Sequence, residues 1–211
     1  MPKCNKCDVA LTNDNWYPSN QKAYNYICSN CSRVKNLPAM KKMNLKDRAQ
    51  SLNVYGNKCQ LCGETKNEFL VIDHVNGGGT LHRKELKGNR IYKWLRHNNY
   101  PNTFRVLCHN CNFMIGVTKL KENVTVETLR RRKLKQEIIL AYGGKCSTCG
   151  DTRNEVLTID HIYNDGASHR KIIGRGIYSF LKRNNFPKDN YQLLCMNCNC
   201  AKSFYKEVAH A

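Results

Sequence analysis

Twelve of the chain's 13 cysteines stand in six Cys-x-x-Cys pairs, and four of those pairs belong to a unit written twice. Cys59-Gln-Leu-Cys62, Ile72-Asp73-His74 and Cys108-His-Asn-Cys111-Asn112 return 87 residues later as Cys146-Ser-Thr-Cys149, Ile159-Asp160-His161 and Cys195-Met-Asn-Cys198-Asn199. Two residues between cysteines let both sulfurs and the intervening amides close around one tetrahedral ion. The spacing therefore predicts three structural Cys4 zinc sites: Cys4, Cys7, Cys28 and Cys31; Cys59, Cys62, Cys108 and Cys111; and Cys146, Cys149, Cys195 and Cys198. Six tandem pairs do not resemble a redox motif, which wants one pair at a helix start. Cys200 is left as a free thiol or a spare ligand.

The repeat holds at an offset of 87 through His82-Arg83-Lys84 and His169-Arg170-Lys171, then at 86 through Ile91-Tyr92 and Ile177-Tyr178, before the register returns at Cys195. Slippage confined to connections, with the cysteines held in step, fits a shared scaffold. The division is an N-terminal zinc ribbon over 1–40, a first module over 41–126 and a second over 127–211. The fold class expected is a set of small α+β zinc-stapled modules.

Residues 68–72 and 155–159 are apolar and β-branched and read as strands running into Asp-His. Asn76-Gly77-Gly78-Gly79 and Asn164-Asp165-Gly166 read as turns. Helices are expected over 90–98 and 176–184, each stopped by the following proline, after Cys111 and Cys198, and over 128–142, with a counterpart at 45–55. Trp94 and Phe180 fall on the apolar faces of the short helices and are assigned to core.

Lys and Arg number 35 against 16 Asp and Glu, a formal charge of +19. Three zinc tetrathiolates would leave about +13, still a surface that attracts polyanions. No stretch is apolar enough for a membrane span. The chain opens into a cysteine pair without an apolar signal segment, so a reducing, cytoplasmic setting is expected. No Gly-Lys-Ser/Thr phosphate loop points to ATP.

Zinc alone does not require Asp-His between the knuckles or Asn after them. Cys-x-x-Cys, Asp-His at a strand end and Cys-x-x-Cys-Asn together resemble the HNH nucleases, closest to the phage recombination endonuclease VII branch. The resemblance covers about two-thirds of the chain, none of it in residues 1–40, and implies two tandem ββα-metal fingers. It implies His74 and His161 as general bases, with Asp73 and Asn112, and Asp160 and Asn199, holding Mg²⁺ or Mn²⁺. It also associates the chain with phage or mobile elements. Imidazole titrates near neutrality and hard oxygen ligands suit Mg²⁺, so the chemistry is consistent. The expected activity is hydrolysis of DNA phosphodiesters, DNA being favoured over RNA, in a duplex or branched substrate.

The family's middle Asn, which holds the His loop, is matched by Asn190 in the second module, whereas the first has Thr103. That favours the second module as the active one. On an ideal strand Asp73 and His74 point to opposite faces, so a shared site needs a twist or bulge. The triplets His82-Arg83-Lys84 and His169-Arg170-Lys171, with Arg130, Arg131 and Arg132 on the connecting helix, are expected to grip phosphates or to be ordinary surface charge. Trp16, Tyr17, Tyr24 and Tyr26 of the ribbon serve either its core or base stacking. Asp-His can alternatively orient a zinc ligand, and Asn can cap a helix. The rival to the nuclease is a non-catalytic zinc-containing DNA- or RNA-binding protein.

Overall fold

In the computed structural model, which describes residues 1–86, 90–119, 124–174 and 176–205, each cysteine knuckle marks a corner where the chain changes element. The ribbon pairs Lys3 with Ala10 in an isolated bridge and carries a short helix α1, Pro18–Lys22. Its core is Cys4, Leu11 and Cys28, with Trp16 and Cys31 packed against them. Trp16 stacks on Tyr26 with centroids 5.4 Å apart and donates its indole N–H to Asn25 O. Trp16 serves the ribbon's packing, while Tyr17, Tyr24 and Tyr26 are exposed.

Helix α2 runs unbroken over Ser29–Val54, starting where the Cys28 sulfur accepts the Cys31 amide. The division drawn at residue 40 falls inside it, so ribbon and first module share one helix. Residues 33–46 are exposed along their whole length; burial starts at Asp47, where the helix meets the module. There Asp47, 2% exposed, pairs with Arg96 at 2.8 Å, tying α2 to α4, Ile91–His97.

The first module places a 3-10 turn over Asn67–Phe69 before β1, Leu70–His74, then α3, Gly79–Glu85, α4, and β2, Phe104–Cys108, which passes directly into α5, His109–Lys119. The second repeats this as α6, Val126–Ala141, β3, Leu157–His161, α7, Gly166–Ile173, α8, Ile177–Arg183, β4, Tyr191–Cys195, and α9, Met196–Tyr205. Strands pair as antiparallel hairpins, Leu70 opposite Cys108 through His74 opposite Phe104, and Leu157 opposite Cys195 through His161 opposite Tyr191. Both hairpins are unbroken across Asp-His, so the expected bulge is absent. Helices α5 and α9 begin at the knuckles rather than after them. Helices α4 and α8 stop before the prolines, at Asn99-Tyr100 and Asn185-Phe186, all four left-handed with φ between 52° and 55°.

Leu52, Leu70, Leu95, Val106 and Leu107 fill the first core, and Ile139, Val156, Leu157, Leu193 and Leu194 the second. The hydroxyls of Tyr55 and Tyr142 donate to Pro101 O at 2.7 Å and Pro187 O at 2.5 Å, a contact that gives both recurring tyrosines the same task. The modules meet through their second knuckles. Asn110 N–H donates to Asn197 Oδ1 at 2.8 Å, and Asn197 N–H returns the bond to Asn110 Oδ1 at 2.9 Å. A reciprocal contact of this kind is what a two-fold relation between like units produces. Phe69 and Met114 of the first module pack against the second core beside it. No helix among the described residues is long and apolar enough to cross a membrane.

Candidate metal centres and paired histidines

The three cysteine quartets are each brought together, every ligand sulfur lying within 4.8 Å of the others. Cys7–Cys28, Cys62–Cys108 and Cys149–Cys195 are each 3.7 Å apart. With Zn–S near 2.3 Å the edge of a tetrahedron is about 3.8 Å, so the quartets fit zinc. Amides reinforce them: Cys31 N–H donates to Cys28 Sγ, Cys111 N–H to Cys108 Sγ and Cys198 N–H to Cys195 Sγ. The Cys28 amide on Cys4 Sγ pulls that thiol down to about 6, toward the thiolate a metal needs. No cysteine forms a disulfide. The chain thus carries three Cys4 clusters able to bind zinc.

Above each hairpin a second constellation forms on the face of β1 and β3 that holds histidine. His74 Nε2 lies 2.8 Å from His82 Nδ1, and His161 Nε2 lies 2.8 Å from His169 Nδ1. The turn at Gly77 and Gly78 folds α3 back over the strand end, which puts His82 above His74. Each strand-end ring also leans on the aromatic paired with it, Phe104 at 4.5 Å and Tyr191 at 5.0 Å. The second histidine meets Trp94 edge-on at 4.4 Å, or Phe180 at 4.7 Å. Trp94 and Phe180, assigned to core from the sequence, are half-buried walls of this site.

Glycine is required where the ring meets the helix. A Cβ at Gly79 would stand 3.1 Å from His74 Nδ1, and one at Gly166 would stand 2.9 Å from His161 Nδ1. Burial is the largest influence on both strand-end imidazoles and lowers their pKa below 6.5; the neighbouring His82 or His169 pushes in the same direction. Both rings are therefore held neutral at pH 7, the form a proton acceptor needs.

Asp73 and Asp160 lie on the opposite face, as the unbroken register requires. Asp73 Oδ2 accepts from Arg105 Nε at 2.8 Å, its partner across the hairpin. Asp160 Oδ2 accepts from Gln192 Nε2 at 2.9 Å and from Lys202 Nζ at 2.5 Å. Asn112 and Asn199 sit on α5 and α9, which pack on β1 and β3, and among the described residues their side chains make no hydrogen bond. Among the described residues neither aspartate hydrogen-bonds to the histidine beside it.

Among the described residues the Asn190 side chain makes no hydrogen bond. Its backbone carbonyl accepts Ile162 N–H at 3.0 Å, and Thr103 O accepts Val75 N–H at 3.0 Å in the same way. A main-chain bond is indifferent to the residue type, so Asn190 does not distinguish the modules.

The basic triplets divide. His82 and His169 join the paired rings, while Arg83, Lys84, Arg170 and Lys171 stay exposed on the same helices. Arg90, Lys93 and His97 line a cleft of about 430 Å³ with Glu85, Leu86 and Trp94. On α6 Arg131 pairs with Glu127 at 2.9 Å, leaving Arg130 and Arg132 exposed toward solvent. Sequence reading missed Arg105, Gln192, Lys202, the two glycines and the asparagine pair. The glycines and asparagines were detectable, since each pair recurs at an offset of 87, the glycines where α3 and α7 begin and the asparagines inside the second knuckles.

No family model, curated protein or solved structure matches this chain.

Proposed function

We propose that the chain is a zinc-stapled nucleic-acid phosphodiesterase of the HNH, endonuclease VII-like kind, with the strand-end histidines as general bases. One observation carries this reading: both modules build the same caged histidine pair over a cysteine-anchored hairpin, and the ribbon's cysteine set has neither. A structural zinc site does not need the pair, as that ribbon demonstrates.

In the tautomer that donates Nε2–H to His82 Nδ1, the basic lone pair of His74 is on Nδ1, beside Gly79. Nδ1 takes the proton from a water attacking phosphorus, and the resulting imidazolium keeps a charge-assisted bond to His82. Arg83 and Lys84, exposed on the adjoining helix, neutralise the phosphate. Asp73 and Asn112, on the other face of the strand end from His74, are the oxygen donors that would suit Mg²⁺ or Mn²⁺, and an ion held there would stabilise charge on the phosphate. The formal charge of +19 favours a polyanionic substrate, and DNA is the substrate proposed.

A second reading, a non-catalytic nucleic-acid-binding protein, is favoured by the basic partner that each aspartate already has, Arg105 or Lys202. Zinc-loaded protein with end-labelled linear DNA, branched DNA and matched RNA, with Mg²⁺ or Mn²⁺ and with chelator, separates the two. Metal-dependent strand breaks lost in the His74→Ala, His161→Ala double variant support the nuclease. Salt-sensitive binding without breaks on any substrate supports the binding module.

A further inference from the structure

We infer that Lys202 is a built-in cation that closes the second module to divalent ions, so that the chain holds one catalytic-type cation site, in the first module. The inference rests on the reading above, in which Asp73 and Asp160 are the motif's cation ligands.

Lys202 Nζ is surrounded by three oxygens: Asp160 Oδ2 at 2.5 Å, His161 O at 2.7 Å and Ile162 O at 3.0 Å. The ammonium is thus coordinated by a carboxylate and two main-chain carbonyls, the hard oxygen set that a small cation seeks. Lys202 and Asp160 side chains are 14% and 12% exposed, so the pair is shielded from water and salt. Lys202 also lies three residues beyond Asn199 on α9, which puts both on one helix face. The ammonium therefore enters from the side on which Asn199 would reach a shared ion. A divalent cation at Asp160 would face that positive charge at close range, and displacing the ammonium would strand it in a buried site.

The first module lacks this device. The position matching Lys202 is Ile115, packed against the apolar core. Its aspartate is met by Arg105, from the opposite strand rather than from α5, through Nε alone, and both side chains are 20% exposed. Among the described side chains, none on α5 places a cation on Asp73.

Mn²⁺ binding to the zinc-loaded full chain, followed by electron paramagnetic resonance and calorimetry, tests this without reference to cleavage. Wild type is expected to bind one Mn²⁺ per chain, lost in Asp73→Asn and retained in Asp160→Asn. Lys202→Met, which keeps the side chain's length, is expected to bind two, the second lost when Asp160→Asn is added. Ile115→Lys provides the reverse exchange and should abolish the first site. Retention of three zinc ions and of cooperative unfolding verifies that each variant folds. A second Mn²⁺ at Asp160 in wild type overturns the inference and leaves the functional reading intact, as does a folded Lys202→Met that gains no ion while Asp73 still binds one. Gain of an ion at Asp160 in Lys202→Met, with none at Asp73, supports the role of Lys202 and overturns the cation role of the first module. No Mn²⁺ in any variant overturns both.

Discussion

The two modules present the same histidine pair at the same 2.8 Å separation but treat the adjacent aspartate differently, with Arg105 reaching across the hairpin in one and Lys202 descending from the helix in the other. Their supports differ too. The pair of buried Asp47 with Arg96 in the first module corresponds to Leu134 and Lys182 in the second, where Lys182 reaches Glu137 at the surface instead. Phe104 is replaced by Tyr191, whose hydroxyl lies 3.3 Å from His169 Nδ1. What was kept is the geometry around histidine; what diverged is the element that brings a cation to the aspartate, the facing strand in one module and the helix in the other. A repeat can thus preserve a scaffold while its two copies separate in chemistry.

Zinc removal should erase the comparison altogether. Structural zinc is worth about 10–16 kcal/mol in small modules, so Cys108→Ser is expected to drop zinc from three to two per chain and unfold the first hairpin. Cys195→Ser should do the same to the second, read by metal content and circular dichroism. Because Asn110 and Asn197 join the knuckles, each loss should also loosen the other module, visible as faster amide exchange in the intact one.

The histidines give the next largest effect. Loss of a general base typically costs about 10²–10⁴-fold, so His74→Ala should lower Mg²⁺-dependent cleavage by that range. If Lys202 closes the second module, His161→Ala should change the rate only a few-fold; equal losses from the two substitutions would show the modules to be equivalent.

The interface should respond more weakly. Asn110→Ala leaves the buried Asn197 N–H without an acceptor, at a cost of about 1–3 kcal/mol, and also removes the Asn110 Nδ2 bond to Asp151 Oδ2, so Asn197→Ala, which orphans only the Asn110 N–H, should cost somewhat less. The two substitutions remove different bonds of the reciprocal pair, so the double variant should cost about the sum of the two. Unchanged thermal unfolding in either single variant would deny the two-fold pairing. Gly166→Ala, meeting His161 at 2.9 Å, should perturb its ring more than Gly79→Ala, at 3.1 Å, perturbs His74, with overpacking costs of about 1–3 kcal/mol and zinc content unchanged.

The smallest effect is on titration. Burial, with repulsion from the second histidine, lowers both strand-end pKa values below 6.5. The stability contributed by the neutral rings is therefore complete above the unfolded value of 6.5 and is lost as pH falls through the lowered folded value. Replacing His82 with Gln removes one positive neighbour and should raise the His74 pKa, measurable from its Cε1 proton by NMR; no movement would mean that burial alone sets it.

The sequence by itself determined the three cysteine quartets, the doubled unit and the elements between them, because covalent spacing and apolar periodicity are local quantities. It also located His74 and His161 at strand ends. Only the tertiary structure decided what those histidines touch. His82 was visible as a recurring residue, but its place above His74 depends on the turn that folds α3 back. Asn190 looked decisive as a side chain and proved to act through its carbonyl, which no residue letter records. Lys202 stands 42 residues from Asp160 and meets it only because α9 packs across β3. Contacts of that kind arise from helix packing after the knuckles have set the frame, so the chain's order alone does not disclose them.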